Sequence, residues 1–121
     1  MTTYGPYTPV RRAGSLLFVS GQIGIDPTTK QAKNGILQQT EQALNNLKKV
    51  LESEGASLDD IVKTTVFLTS MDNFEAMNDV YEKVFAAPRP ARSTVGVQEL
   101  PRVGDAPLLV EIEAVACKEA A

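Results

Sequence analysis

The sequence predicts a single α+β domain in which one mixed sheet carries two helices on one face. Three observations point there. Segments of strand and helix periodicity follow one another in the order ββαβαββ, and each helix lies between strands. At 121 residues the chain has the length of one domain, and 43% hydrophobic residues suffice for one core. No repeat, low-complexity tract or linker-like shift in composition divides it, so residues 1–121 are taken as one unit.

The first segment, "YTPVRRAGSLLFVSGQIGID", reads as a hairpin: a short strand over Pro9–Arg12, a turn at Ala13-Gly14, and a stronger strand from Leu16 to Ile23. "DPTTKQAKNG" is a loop, punctuated by Pro27 and Gly35. From Ile36 to about Glu54 the period becomes helical, with Leu37, Ala43, Leu44, Leu47, Val50 and Leu51 recurring at spacings of three and four. Gly55 is placed to end that helix. "SLDD" opens a helical turn, and the β-branched, aromatic run "IVKTTVFLTS" reads as a strand. A second helix is expected from about Asp72 to Phe85, capped by Ser70 or Asp72, with Phe74, Met77, Tyr81, Val84 and Phe85 as its apolar stripe. After two prolines come the strand "ARSTVGV", the loop "QELPRVGDAP" and a last strand, "LLVEIEAVACK".

The faces of these strands carry a further expectation. Val110, Ile112, Ala114 and Ala116 point one way, toward the helices, while Glu111, Glu113 and Val115 point the other. Arg92, Thr94 and Gly96 share a side opposite Ser93, Val95 and Val97. In "IVKTTVFL" both sides are largely apolar: Val62, Thr64, Val66 and Leu68 on one, Ile61, Thr65 and Phe67 on the other. A strand apolar on both sides calls for burial on both. Two helices cover one face, so another copy of the chain is the simplest cover for the second. A homo-oligomer is expected, with Arg92 and Glu111 near its boundary.

Composition narrows the chemistry. A net charge of −3 and a pI near 4.9 disfavour nucleic acid or an anionic membrane as partner. Cys117 stands alone, so no intrachain disulfide forms, and "MTTYGPYTPV" has no signal pattern; a cytoplasmic, reducing compartment is the expectation. The chain has no histidine. A Ser-His-Asp triad, a Cys-His pair and the common zinc and iron sites are thereby excluded within one chain. No metal or cofactor is expected. Carboxylates, hydroxyls, Arg, Lys and backbone groups must carry the chemistry.

"GPYTP", "FVSGQIGIDP", "QALNNLKKVLESEGASLDDIVKTTVFL", "FEAMNDVYEKVF", "PARS" and "VEIEAVA" together resemble the RidA (YjgF) reactive-intermediate deaminase family over nearly the whole chain. The resemblance implies a chorismate-mutase-like fold and a homotrimer with a central barrel of sheets and clefts between subunits. It also implies an enzyme: hydrolysis of short-lived 2-imino acids and their enamine tautomers, such as 2-iminopropanoate and 2-iminobutanoate, to 2-keto acids and ammonia. Pyridoxal-phosphate dehydratases acting on serine and threonine release those intermediates.

Mapped onto this chain, the family pattern makes Arg92 of "PARS" the carboxylate binder. A planar guanidinium suits a carboxylate bidentately, as lysine does not; the alternative is an ion pair from Arg92 to Glu111 or Glu113 across the sheet. Glu111, the first glutamate of "EIE", would serve as base toward water and then as acid toward the leaving ammonia, or else be a salt-bridge partner. Glu113 is read as structural. Ser20 of "VSGQ" would hold water or the imine nitrogen, or simply bond to backbone, and Gly21 beside it permits close backbone approach. Tyr7 would reach the cleft from a neighbouring subunit, or pack at a strand start. Thr94 stands where many relatives carry cysteine and would offer its backbone N–H to the carboxylate. Asn78 is read as a buried polar brace near the cleft. Gly96 replaces a frequent glutamate, and the loop "PRVGDAPL" is longer than in typical relatives. Two rival functions stay open: a keto-acid-binding or regulatory module without turnover, and a ribonuclease or translation inhibitor.

Overall fold

The computed structural model describes all 121 residues. Its elements are β1 (Val10–Ala13), β2 (Leu16–Ile23), α1 (Gly35–Glu52), β3 (Ile61–Leu68), α2 (Phe74–Val84), β4 (Ala91–Gly96) and β5 (Val110–Cys117). This is the expected ββαβαββ order in an α+β fold. α2 starts two residues later than its periodicity suggested. The preceding Met71–Asn73 forms a 3-10 turn instead, capped by Ser70, whose hydroxyl accepts from the Asp72 N–H.

The five strands lie in the order β1-β2-β5-β3-β4. β5, last in the chain, sits at the centre and runs antiparallel to both β2 and β3. β4 lies on the edge, parallel to β3, with α2 bridging the two in sequence. One sheet face packs against the helices. Leu17, Val19, Val66, Leu68, Val110 and Ile112 meet Leu44, Leu47 and Leu51 of α1 and Met77 and Tyr81 of α2 in one buried cluster. No helix is long and apolar enough to cross a membrane.

The other face has no cover. Leu16, Phe18, Val62 and Val95 are 37–49% exposed there, and Phe67 and Val115 are half-buried. Val62 departs from the expected alternation, which grouped it with the core residues Thr64, Val66 and Leu68. An irregularity in the pairing with β5 between Ile61 and Lys63 inserts an extra residue. Ile61 is therefore the buried one (5% exposed) and Val62 the open one (49%).

A second, smaller cluster of Ile23, Ile25 and Leu108, with Leu100 and Val103 against it, ties two loops to the end of β2. Gln39 of α1, 2% exposed, is the strap. Its amide donates to the Lys33 and Pro107 carbonyls and accepts from the Leu109 N–H, all within 3.1 Å. Gln39→Leu keeps the volume but strands these groups. We expect a loss of about 2–3 kcal/mol, read from urea unfolding; an unchanged midpoint would mean that water replaces the strap freely.

A candidate active site in two halves

The parallel register of β3 and β4 sets Arg92 beside Thr64 and Thr94 beside Val66. Thr64 and Val66 are fully buried under the helices, so Arg92 and Thr94 point to the helix-bearing face. There the Arg92 guanidinium lies over two rings of α2, 4.8 Å from the Tyr81 centroid and 5.7 Å from that of Phe74. Tyr81 is itself fixed by a 2.7 Å hydrogen bond between its hydroxyl and that of Thr64. Burial pushes the Tyr81 phenol above its ordinary value, opposed by the Thr64 bond and the Arg92 and Arg89 charges. Aromatic faces hold the cation without using its N–H groups. The chain's two ion pairs, Arg12–Glu54 and Arg102–Glu99, do not involve Arg92. Around it, the Thr94 hydroxyl and the Asn78 carbonyl oxygen are buried without a hydrogen-bond partner, and Asn78 lines the same pocket as Arg92. An unpaired guanidinium and two unsatisfied polar atoms make half of a polar site.

This arrangement overturns the cross-sheet ion pair. β3 separates β4 from β5, and Glu111 and Glu113 alternate with the buried Val110, Ile112 and Ala114. Both glutamates therefore face away from the helices, opposite to Arg92. Arg92 thus lies on the helix-bearing face and Glu111 on the uncovered one.

Glu111 belongs to a second half. It pairs with Ile23 of β2 and Phe67 of β3. The pairing of β2 with β5 slips between Val19 and Gln22, and this bulge brings the backbone of Gly21 under the carboxylate. A Cβ on Gly21 would stand 2.7 Å from Glu111 Cδ, so only glycine admits this carboxylate position. Burial raises the Glu111 pKa, and the negative charge of Glu113 raises it further. Gly21→Ala should push the carboxylate aside and cut activity at least tenfold with the circular-dichroism spectrum unchanged; full activity would show that the carboxylate position is not critical.

Tyr7 lines the same cavity as the Glu111 of its own chain, together with Gly21, Lys49, Pro101 and Val103. Its hydroxyl oxygen accepts from the Tyr4 N–H at 3.1 Å. The Ser20 hydroxyl is already engaged with backbone. It donates to the Thr8 carbonyl at 2.6 Å and so fastens the N-terminal segment to β2. Ser20 borders a neighbouring pocket with Tyr7 and Glu113. Arg92, Thr94 and Asn78 thus gather on one side of the sheet, Glu111 and Tyr7 on the other side. Sequence reasoning placed Tyr81 in an apolar stripe and missed its role under Arg92; a buried tyrosine hydroxyl needs a partner, and that was the available signal.

The chain also resembles known proteins. Residues 1–118 match the family model described as Endoribonuclease L-PSP. A RutC family protein of Pyrococcus horikoshii is 47% identical over 116 residues, 95% of this chain and 89% of that protein. A 2-iminobutanoate/2-iminopropanoate deaminase of Dermatophagoides farinae is 41% identical over 112 residues, 92% of this chain and 84% of that protein. The crystal structure of RidA from an Antarctic Psychrobacter superposes with a TM-score of 0.90 at 35% identity, covering 96% of this chain and 91% of that one. The ββαβαββ sheet is the chorismate-mutase-like fold of such structures. By the span of the model match and the identity of these relatives, the chain belongs to the RidA (YjgF) family.

Proposed function

We propose that the protein hydrolyses 2-imino acids to 2-keto acids and ammonia, in a site built from two copies of the chain. The observation that carries this is the unpaired Arg92 guanidinium, held on the Tyr81 and Phe74 rings with its donors free. A small 2-imino acid offers one carboxylate as its main handle, and a fixed guanidinium is the matching receptor. Arg92 and Glu111 lie on opposite faces of one sheet, so a site that uses both takes Arg92 from one copy and Glu111 from another. The uncovered face bearing Phe18, Phe67 and Val95 gives copies a surface to share. The homotrimer implied by the family resemblance satisfies both requirements.

In this mechanism the enamine tautomer first takes a proton on carbon and gives one up from nitrogen to become the imine. Glu111 accepts a proton from water as the oxygen bonds to the C=N carbon and passes it to the nitrogen, giving the neutral carbinolamine. The carbinolamine then collapses: Glu111 takes the hydroxyl proton and delivers it to the nitrogen as the C–N bond breaks, ammonia leaves, and the keto acid remains. A carboxyl with a raised pKa suits both transfers, because it gives up and takes back a proton nearer neutrality. Thr94 and Asn78 would meet the bound carboxylate and nitrogen, which their unpartnered atoms can address. The name carried by the Dermatophagoides relative supports this substrate class. The absence of histidine and the charge of −3 weigh against RNA cleavage.

The test generates 2-iminopropanoate with an amino-acid oxidase and traps it with semicarbazide. The protein should lower semicarbazone yield, and Arg92→Ala should not. Binding of 2-ketobutyrate by calorimetry without any such effect would make the protein a binding module instead.

A further inference from the structure

Glu111 opens onto a cavity of about 200 Å3 with an aliphatic wall of Ile25, Val50, Pro101 and Val103 and a polar rim that includes Tyr4, Tyr7, Gln22 and Asn46. Hydrolysis of a C=N bond needs a water and a carboxylate, and neither calls for a chamber of this size with an aliphatic wall. At roughly 30 Å3 per liquid water, the space equals about seven waters. The aliphatic wall offers the waters beside it few hydrogen bonds, so placing hydrocarbon against that wall is favoured. A methyl or ethyl group leaves most of it empty; a branched side chain covers more of the aliphatic wall, and an aromatic one more still. Lys49 also borders the cavity, but its side chain is exposed, and a lysine stem beside an apolar wall keeps its ammonium in water.

The wall is built to keep its shape. Val103 both lines the cavity and packs against the Ile23–Ile25–Leu108 cluster. The next residue, Gly104, has φ +82, and a Cβ there would come within 2.8 Å of Ile25 Cδ1, so glycine alone lets the loop close down on β2's end. Asp105 then accepts from the Ala32 N–H at 2.9 Å, joining the two loops. Val103 is thus held on both sides by fixed contacts, beside but not touching the reacting groups.

From this geometry we infer, building on the deaminase assignment, that the cavity receives the substrate's side chain. The preferred substrates are 2-imino acids with bulky apolar side chains, isobutyl or benzyl, and Val103 sets the depth available to them. The carboxylate end faces Arg92 of a second copy while the side chain enters beside Glu111.

The experiment compares imines made in place by an L-amino-acid oxidase from alanine, leucine and phenylalanine, each scored by semicarbazide competition. The leucine-derived imine should be consumed with a kcat/KM at least tenfold above that for the alanine-derived one. Val103→Phe should lower that leucine-to-alanine ratio by about 10- to 100-fold, the range one or two methylenes command in a shaped pocket. Val103→Ala should raise the ratio for the phenylalanine-derived imine, and it decides the matter if the phenylalanine variant does not fold. Ratios unmoved by a folded variant overturn the side-chain pocket and leave the deaminase assignment standing. Wild type inert toward all three imines overturns the deaminase assignment, and the pocket with it.

Discussion

Mixing Arg92→Ala and Glu111→Gln subunits, each nearly inactive alone, restores about a quarter of wild-type turnover. Half the arginines and half the glutamates in the mixture are intact, so one site in four receives both, whatever the size of the ring, if subunits exchange at random. This follows from the opposed faces of β4 and β5: no single chain can bring Arg92 and Glu111 together. Arg92→Ala alone should lose at least about a hundredfold in kcat/KM, because the substrate keeps no fixed cation for its carboxylate. Arg92→Lys should recover little, as a point charge cannot make the paired contact. The Arg92→Ala fold should survive, since the side chain gives up only ring contacts worth about 0.5–2 kcal/mol. Co-refolding the two variants, with turnover no higher than the sum of the separate preparations, would refute the shared site.

Glu111→Gln should lose about 10²–10⁴-fold in turnover and gain thermal stability above acid pH. Burial and Glu113 hold the folded Glu111 pKa above its ordinary 4.5. The fold therefore favours the protonated form. Its penalty for the charge is absent below the unfolded value and complete once pH has risen through the folded one. Neutral glutamine avoids that penalty, so the variant's melting temperature exceeds wild type's at pH 8, and the gap closes as pH falls past 4.5. Performing both titrations in the Arg92→Ala background removes the neighbouring copy's guanidinium from the comparison. Identical melting curves at pH 8 would sink the claim that this charge is held at a cost. In the same terms, wild-type turnover should fall on acidification at a pH above that of a free glutamate, because water must find the carboxylate unprotonated.

The element order, the extent of β2 and the start of β3 were legible because their periodicity is local, and local periodicity needs no partner strand. The face of Arg92 was not. Alternation tells which residues of "ARSTVGV" share a side, but only the pairing Thr64–Arg92 tells which side meets the helices. Val62 was misplaced for a related reason: the bulge that exposes it is a property of two strands together, and "IVKTTVFL" is apolar throughout. Ser20 carries an ordinary donor whose acceptor, the Thr8 carbonyl, lies twelve residues away. The loop holding Val103 depends on Asp105 meeting Ala32, a contact 73 residues apart in the chain. Long-range contacts of this kind leave no mark in the spacing of residues.

Leu16, Phe18, Val62 and Val95 remain in water as long as a chain is alone. Each forgoes on the order of 1–2 kcal/mol that burial would supply. In the proposed shared assembly a freshly made subunit is adhesive until it meets its own kind, and dilution should both dismantle and weaken it by mass action. Its melting temperature should then climb with its own concentration.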